Sequence, residues 1–394
     1  MAEHPARGFD ADNHYYEAMD AFTRHIELEY AKRAMQWAEV NGKTRLLVGG
    51  KINTFIPNPT FDRVAKPGSL EQFFRAKNAS GQSVIELFGE LAAIDPAYRD
   101  RDIRLKVMED QGLDGAFFFP TLGVGMEQAL LDDLPAMMAA FRAFNRWLDE
   151  DWGFHYQERI FAAPYITLAD TENAIAELEW ALGRGARIVV MQTGPVMTAL
   201  GWRSPADAMF DPYWRRIEEA GISVAYHGGD TAYGQILPMW GDSARLESFR
   251  NTTLRAVLSP VPIADTLAAL IVGGVFARFP GLRVAAIETG AEWVAPLFYR
   301  LGKSFGQTPQ LYPEDPRQVF RHHIWVAPFY ENDLRQLAEL IGPTQMLMGT
   351  DWPHTEGLAN PLNFADDLLR YGFSPTECKQ IMHHNAAGLV APPT

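Results

Sequence analysis

Residues 346–354 read Met-Leu-Met-Gly-Thr-Asp-Trp-Pro-His, so that an apolar run leads into a carboxylate, a proline and a histidine. The run Met-Leu-Met predicts a buried strand, and Pro353 predicts its end because proline has no N–H to donate to a neighbouring strand. Asp351 is therefore expected at the tip of a buried strand. In parallel barrels, strand tips of this kind form the face that carries the active site.

Two other stretches place Asp or His at the end of an apolar run. Residues 9–14 read Phe-Asp-Ala-Asp-Asn-His, and residues 224–229 read Val-Ala-Tyr-His-Gly-Gly. The carboxyl ends of the strands of a parallel barrel lie on one face. The three stretches together predict one metal-centred site at the mouth of a barrel.

Eight short apolar runs alternate with stretches of helical spacing, which is typical of a parallel α/β sheet. The apolar runs are 7–12, 113–119, 159–168, 186–192, 222–227, 283–288, 323–329 and 345–351. The helical stretches are 127–152, 171–183, 207–220, 261–279, 291–303, 331–341 and 376–390. Eight strands favour a (β/α)8 TIM-like barrel over an open doubly wound sheet. No Gly-x-Gly-x-x-Gly follows the first strand, which disfavours a dinucleotide-binding fold.

The whole chain, 1–394, is predicted to form a single barrel domain with two insertions. The stretch 18–100 is longer than a simple connection, so we expect an insertion after the first strand that lies over the barrel mouth. A second insertion, 228–258, follows the fifth strand. It carries the large apolar residues Tyr233, Met239, Trp240 and Phe249.

The composition indicates a globular protein with a large core and excludes several classes of partner. Hydrophobic residues make up 47% of the chain and charged residues 21%, and the net charge is −14. Without a Lys/Arg-rich block, this charge argues against nucleic acid or an anionic membrane as partner. The single cysteine, Cys378, excludes an internal disulfide and fits the cytoplasm, and neither a signal peptide nor a membrane-spanning run is visible. We expect a cytoplasmic protein with a small-molecule substrate, and the pattern leaves a homo-oligomer open.

The candidate metal ligands are the polar residues at the predicted strand ends, namely Asp12, His14, His227, Glu288 and Asp351. Imidazole with carboxylate suits zinc, and the share of carboxylates also suits manganese or iron, as one or two divalent ions per chain. Each residue alone has a structural alternative, since a histidine can be a hydrogen-bonded core residue and an aspartate a turn former. Their common position at the carboxyl ends of strands favours a metal site. A metal with an open coordination position would lower the pKa of bound water and polarise a carbonyl.

The chain resembles the amidohydrolase-related proteins, the branch of the metal-dependent amidohydrolase superfamily that includes aminocarboxymuconate-semialdehyde decarboxylase and the resorcylate-type decarboxylases. The resemblance runs from Phe9 to about Leu389. Its motifs are Asp-Ala-Asp-Asn-His-Tyr-Tyr-Glu at 10–17, Ala-Tyr-His-Gly-Gly at 225–229, Phe-Pro-Gly-Leu-Arg-Val-Ala-Ala-Ile-Glu-Thr-Gly-Ala-Glu-Trp-Val at 279–294, Gly-Thr-Asp-Trp-Pro-His at 349–354 and Asn-Ala-Ala-Gly-Leu at 385–389. The family's first motif is His-x-His or an acidic variant of it. The resemblance therefore implies that Asp12 and His14 are ligands, that His227 is the fifth-strand ligand, and that Asp351 is the metal-binding base.

Two positions depart from the family pattern. The fourth strand ends in Met-Gln-Thr at 191–193, so the carboxylated lysine that bridges two metals in other amidohydrolases has no counterpart. Glu288 stands where the decarboxylases typically have a histidine. Together with Asp12 and Asp351 it makes three carboxylates that repel one another unless cations neutralise them. Glu288 is expected either to bind the metal or to orient a ligating histidine from behind it.

Three functions remain open at this point. The first is a metal-dependent hydrolase of a bulky apolar carboxylic-acid derivative (amide, ester, lactone or thioester), with metal-activated water and Asp351 as general base. The second is a non-oxidative, metal-dependent decarboxylase of an aromatic or dienoic acid. The third is a catalytically silent family member that binds a metal or a ligand. His354, three residues after Asp351, is a second catalytic candidate that would contact substrate or orient its loop.

The two insertions carry the candidate substrate-binding residues, because both follow strands whose tips supply ligands. Aromatic residues there predict an apolar pocket for a bulky substrate. With a negatively charged chain, any anionic group of the substrate would have to be met locally by Lys51 or Arg245. The substrate-binding candidates are Lys51, Phe55, Tyr233 and Trp240.

Overall fold

A computed structural model describes residues 7–242, 253–258, 261–330 and 333–392. Fourteen strands lie in these ranges. They are β1 (Gly8–Tyr15), β2 (Met35–Val40), β3 (Lys43–Val48), β4 (Lys51–Ile52), β5 (Arg63–Val64), β6 (Ala92–Ala93), β7 (Leu113–Pro120), β8 (Ile160–Ala162), β9 (Ile188–Gln192), β10 (Val196–Thr198), β11 (Gly201–Arg203), β12 (Ser223–His227), β13 (Arg283–Ile287) and β14 (Ile324–Val326).

Helices alternate with these strands. They are α1 (Glu71–Phe74), α2 (Val84–Leu87), α3 (Arg101–Asp110), α4 (Met126–Ala129), α5 (Leu134–Asp151), α6 (Thr171–Leu182), α7 (Asp211–Ala220), α8 (Thr253–Val257), α9 (Pro262–Val272), α10 (Val275–Arg278), α11 (Val294–Gln307), α12 (Pro316–His323), α13 (Leu334–Ile341), α14 (Phe364–Arg370), α15 (Pro375–Lys379) and α16 (Asn385–Leu389). A π-helical turn, Gln380–His384, joins the last two. None of the helices in the described ranges is both long and apolar enough to span a bilayer.

Seven of the strands form two parallel sheets, which confirms the predicted α/β class. The orders are β1-β7-β8 and β9-β12-β13-β14. Three isolated parallel bridges join the two sheets to each other and to the segment 346–352: Tyr165 with Val190, Val326 with Met346, and Asn13 with Trp352. The parallel segments are thus linked in chain order, and the last is linked back to the first, as the predicted barrel requires.

Two predicted strands are less regular than expected, for reasons visible in the backbone. The run 159–168 forms a strand only over Ile160–Ala162, because Pro164 has no N–H for the ladder. The run 345–351 begins at the end of a 3-10 turn, Pro343–Gln345, and its Met348 carbonyl accepts from Ala11 N at 2.8 Å. No regular ladder forms there because Met348 N donates to the Ile381 carbonyl in the π-helical turn instead.

The central strands are buried on both faces, as near-continuous hydrophobic runs predict. All residues of β1 are buried, and Phe117, Phe118 and Phe119 in β7 have no exposed surface. The surrounding helices follow the expected periodicity. In α6, the Asp170 carboxylate accepts from Asn173 N and caps the start of the helix.

The predicted insertion 18–100 is structured and contacts the loops that follow β7 and the segment 346–352. It contains the antiparallel sheet β2-β3-β4, the pair β5-β6 and two short helices. Leu70 N donates to the Thr355 carbonyl at 2.8 Å, and Gly68 N donates to the His354 carbonyl at 3.3 Å. The position of the insertion over the barrel mouth and the single-domain organisation stay predictions.

The second insertion, 228–258, is described at 228–242 and 253–258. Arg245 and Phe249 lie outside the described residues. The segment begins with two short 3-10 turns, Ala232–Gln235 and Leu237–Trp240.

The guanidinium of Arg104, on α3, is buried beneath the end of β1. It donates to Asn13 Oδ1 at 2.6 Å, to the His14 carbonyl at 2.8 Å and to the Ala97 carbonyl at 2.7 Å. Its Cζ also lies 4.4 Å from the ring centre of Trp352. This one side chain therefore fixes the end of β1 against the segment that follows Asp351.

Replacing Arg104 by Met is expected to lower the free energy of unfolding by about 3 kcal/mol or more, because buried acceptors lose their donors and each orphan costs about 1–3 kcal/mol. Urea titration of the metal-free protein, followed by circular dichroism, measures the change. Lys106→Met, on the exposed face of the same helix, is the matched control and should change stability by less than about 0.5 kcal/mol. Equal effects of the two substitutions would contradict a bracing role for Arg104.

Candidate metal centre

The predicted ligands come together at the carboxyl ends of the parallel strands. Asp12 and His14 lie two residues apart in β1, so their side chains share one face of the strand. His227 is the last residue of β12, Glu288 follows β13, and Asp351 lies in the segment 346–352. The tertiary structure thus brings together all the residues proposed as metal ligands.

The distances between their polar atoms fit a shared cation. His14 Nε2 lies 3.3 Å from both Asp12 Oδ1 and Asp351 Oδ1. His227 Nε2 lies 3.4 Å from Asp12 Oδ1 and 3.2 Å from Glu288 Oε2. Ligand atoms about 2.1 Å from one divalent ion lie roughly 3.0–3.4 Å from each other in octahedral or tetrahedral geometry. Asp12, His14 and His227 form the most buried group of this kind.

Buried polar atoms without hydrogen-bond partners also support a cation at this cluster. Both ring nitrogens of His14, and Oδ2 of Asp351, are buried and make no hydrogen bond. A buried polar atom left unpaired is unusual in folded proteins and costs free energy. A cation at the cluster would supply the missing partner of His14 Nε2.

The carboxylates of the cluster destabilise each other's charged forms. Burial, followed by the charge of Asp351, raises the pKa of Glu288 well above its usual value. Burial, followed by the charges of Glu356 and Asp12, does the same to the pKa of Asp351. A divalent ion would offset this repulsion.

The pKa values of Asp12 and His14, both in β1, are lowered. Burial alone would raise the pKa of Asp12, but its close contacts with the rings of His14 and His227 outweigh this effect and hold the pKa at about 2. Burial, with the charge of His354, lowers the pKa of His14 to about 3. Asp12 is therefore ionised and His14 neutral, which are the forms that bind metal ions.

The backbone at two of these residues is strained. Glu288 has a φ of 50° and Asp351 a φ of 57°, in the left-handed region that non-glycine residues rarely occupy. Such conformations cost about 1–3 kcal/mol and cluster at functional sites. Gly228 allows the close approach, because a Cβ at that position would lie 2.5 Å from the Glu288 carbonyl oxygen.

His354 lies against the cluster, as its candidacy requires. Its Nδ1 is 2.6 Å from Asp351 Oδ1, and its ring stacks on that of His14 with centres 4.0 Å apart. Glu356, which the sequence analysis did not single out, forms a second group of close polar atoms with Glu288, Asp351 and His354. The spacing Asp-Trp-Pro-His-Thr-Glu at 351–356 was the available indication.

Three of the substrate-binding candidates have no described contact with the metal-ligand candidates. Lys51 is exposed, and its Nζ pairs with Asp132 at 3.0 Å. The Tyr233 hydroxyl donates to Asp265 at 2.9 Å. The side chain of Trp240 is 67% exposed. Their roles in substrate binding stay predictions.

Phe55 lies closer to the site. Its ring covers Gly125, where a Cβ would come within 2.6 Å of it. The preceding residue, Val124, contacts Gly229, two residues after the candidate ligand His227. Phe55 thus packs on the loop that borders the fifth-strand tip.

The fourth barrel strand, β9, ends in the amide of Gln192, and no lysine stands at this strand end. The side chain of Gln192 donates to the Asp230 carbonyl and accepts from Gln128. Both of its polar atoms are thus engaged with neighbouring loops. The amide offers no bridging carboxylate for a second metal.

A family model described as amidohydrolase matches residues 10–390. The chain belongs to the amidohydrolase family. This confirms the resemblance drawn from the motifs at the strand ends, and the fold of the solved relatives agrees with the predicted barrel class.

One similar solved structure is an amidohydrolase from Mycobacterium avium subsp. paratuberculosis K-10. The two sequences are 41% identical. The match covers 98% of this chain and 99% of the Mycobacterium chain, with a TM-score of 0.92. The 5-carboxyvanillate decarboxylase LigW from Sphingomonas paucimobilis is 14% identical, with coverages of 99% and 100% and a TM-score of 0.62. A dihydroxybenzoic acid decarboxylase from Polaromonas sp. JS666, solved with bound manganese and the inhibitor 2-nitroresorcinol, is 17% identical, with coverages of 86% and 97% and a TM-score of 0.57. The two decarboxylases share the fold with this amidohydrolase.

Replacing His227 by Ala is expected to lower metal affinity by at least about 10–100-fold while leaving the fold intact, because it removes a neutral imidazole from the cluster. Elemental analysis after dialysis, with circular dichroism for the fold, measures both. His323→Ala is the control, since this ring contacts the Leu282 carbonyl and Phe276, away from the cluster. Full metal occupancy in the His227 variant would refute the assignment.

Replacing Glu288 by Gln tests metal number, because it removes one charge and roughly preserves shape. We expect the number of ions per chain to stay the same and the affinity to fall by about 10–100-fold, since the carboxylate stands 3.2 Å from His227 Nε2. Glu292→Gln removes the same charge from an exposed position nearby and should leave affinity unchanged. A fall from about two ions to about one would instead show that Glu288 holds a second ion.

Proposed function

We propose that this amidohydrolase is a metal-dependent hydrolase of a bulky, uncharged carboxylic-acid derivative, that is, an amide, ester, lactone or thioester. The observation that carries the proposal is the charge of the site. Three carboxylates, Asp12, Glu288 and Asp351, surround two histidines. In the described part of the chain, no lysine or arginine forms an ion pair with any of the three.

This charge favours a neutral substrate over an anionic one. A divalent ion among three ionised carboxylates leaves a net negative site. An acid whose carboxylate had to approach the ion would be repelled by them at short range, where effective dielectric constants are low. The carbonyl of an ester or amide meets no such repulsion.

A second candidate, the non-oxidative decarboxylase, draws its support from relatives with this fold. The Polaromonas and Sphingomonas proteins are decarboxylases of aromatic acids. Their sequence identity of 14–17% supports a shared fold and leaves the reaction open. The replacement of a typical histidine by Glu288 makes decarboxylation the weaker of the two proposals.

His14, His227, Asp12 and Asp351 would hold the metal, with Glu288 beside them. Zinc, manganese or iron suits this set of nitrogen and oxygen ligands. When bound, a divalent ion there would polarise the substrate carbonyl and lower the pKa of water.

In the proposed reaction Asp351 is the general base. Its Oδ2 makes no hydrogen bond within the protein and is free to take a proton from water as the water oxygen bonds to the carbonyl carbon. The bond from that carbon to the leaving nitrogen, oxygen or sulfur then breaks. The proton passes from Asp351 to the leaving atom, so the products are a carboxylic acid and an amine, alcohol or thiol. The other oxygen of Asp351, Oδ1, lies 2.6 Å from His354 Nδ1.

Aromatic residues of the two insertions support the proposal of a sizeable substrate. Phe55 packs on the loop 123–125 beside the fifth-strand tip, and Tyr233 and Trp240 begin the second insertion. We propose that these aromatic side chains contact the apolar body of the substrate. A polar reactive group at one end of an apolar body is the common pattern for small-molecule pockets.

Turnover in oxygen-18-labelled water tests the proposal. Metal-loaded protein is offered aryl and alicyclic esters, lactones, thioesters and amides, and in parallel the corresponding free aromatic acids. We expect one labelled oxygen in each product acid, no release of carbon dioxide, and a fall in kcat of about 10²–10⁴-fold in Asp351→Asn.

The other outcomes separate the alternatives. Carbon dioxide released from the free acids, with a new C–H bond in the product, would overturn hydrolysis in favour of decarboxylation. Absence of both reactions in fully metal-loaded protein would favour a silent, ligand-binding family member.

A further inference from the structure

The hydroxyl of Thr121 lies between β1 and the ring of His354. Thr121 directly follows β7 and is buried. Its Oγ1 is 2.7 Å from the Tyr15 carbonyl oxygen and 2.9 Å from His354 Nε2. On the other side of the same ring, Nδ1 is 2.6 Å from Asp351 Oδ1.

The donors and acceptors in these contacts determine whether His354 Nε2 carries a hydrogen. A hydroxyl has one hydrogen, and a carbonyl oxygen can only accept. The hydrogen of Thr121 therefore points to the Tyr15 carbonyl, since two buried oxygens 2.7 Å apart without a hydrogen would repel. Oγ1 is left as an acceptor, so His354 Nε2 must carry a hydrogen and donate it.

We propose that Thr121 is a positioning residue: its Oγ1 accepts the hydrogen of His354 Nε2 and so holds the ring with Nδ1 against Asp351 Oδ1, a contact that contains a separate hydrogen of its own. Its use in catalysis rests on the function proposed above, whereas the placement of the hydrogen rests only on these contacts. Without the acceptor at Nε2, the ring would be free to turn over and present carbon to Asp351. The hydroxyl therefore sets the orientation of the group that holds the general base.

The turn that carries Thr121 is itself tied to β1. Oε1 of Glu17, a buried carboxylate just after the strand, accepts from Leu122 N at 2.9 Å and Gly123 N at 3.0 Å. Stacking on His14 fixes the plane of the His354 ring from the other side. The His354 ring is thus held by β1, the turn after β7 and the segment 346–354.

Nitrogen-15 NMR of histidine-labelled, zinc-loaded protein tests the placement of the hydrogen without any substrate. His354→Gln assigns the ring signals. In the wild type we expect Nε2 of His354 to carry a hydrogen. In Thr121→Val this hydrogen should lose its partner, with a shifted or exchange-averaged Nε2 signal, and Thr121→Ser should restore the wild-type signal.

Thr266→Val is the matched control. Thr266 is equally buried, its hydroxyl also donates to a carbonyl, that of Pro262 at 2.7 Å, and it contacts none of the site residues. It should leave the His354 signals unchanged. A wild-type Nε2 without hydrogen, or a His354 signal unaffected in Thr121→Val, would overturn the proposal.

Kinetics supply the second measurement once a substrate is known. Thr121→Val should lower kcat by about 10-fold or more with little change in KM or metal content, as expected when a catalytic group is misaligned. Thr121→Ser should recover most of the loss. Equal losses in the Val and Ser variants would show a packing effect and overturn the positioning role. If hydrolysis itself fails, the NMR result still decides the placement of the hydrogen.

Discussion

Backbone hydrogen bonds between β1 and the segment 346–352 are the constraint on which the site depends. His14 N donates to the Trp352 carbonyl, and Asp351 N donates to the Asp12 carbonyl, both at 2.8 Å. The same bonds join the last parallel segment to the first and bring the acids and the histidine into contact. A shift of one residue would turn Asp12 and His14 to the opposite face of the strand. The hydrogen bonds that set the register between β1 and the segment 346–352 therefore also assemble the site.

The free-energy cost of this arrangement is concentrated at the strand tips. Glu288 and Asp351 combine burial, mutual repulsion and left-handed backbone. The neighbouring end of β1 is held in place by buried contacts, such as those of the Arg104 guanidinium with Asn13 and the His14 carbonyl. A site that is unfavourable by itself and held by its surroundings is typical of function rather than of stability. A divalent cation is the simplest group that would relieve the repulsion.

His354 connects this centre to the outer layer of the protein. Its ring contacts Asp351, His14 and Thr121, while its carbonyl accepts from Gly68 in the long insertion. Movement of the insertion would thus act on the residue that orients the proposed base. The insertion is thus linked to the geometry of the site through the Gly68–His354 hydrogen bond.

Pattern and chemistry were sufficient for the class of fold and for the centre of the site. Apolar runs ending in Asp or His are local features, and parallel strands bring their carboxyl ends together whatever the details of packing. The candidate ligands could therefore be named from strand tips alone, and the family motifs agreed.

Contacts between distant loops could not be read in the same way. Thr121 and His354 are separated by 233 positions, and nothing near Thr121 in the chain distinguishes it from an ordinary buried threonine. The sequence allows Lys51 to meet an anionic group of the substrate, but in the structure its Nζ pairs with Asp132. Periodicity and motif spacing describe which residues belong to which element, because those properties are local. Which loop side chains meet above the barrel depends on how long connections pack, and only the folded chain settles it.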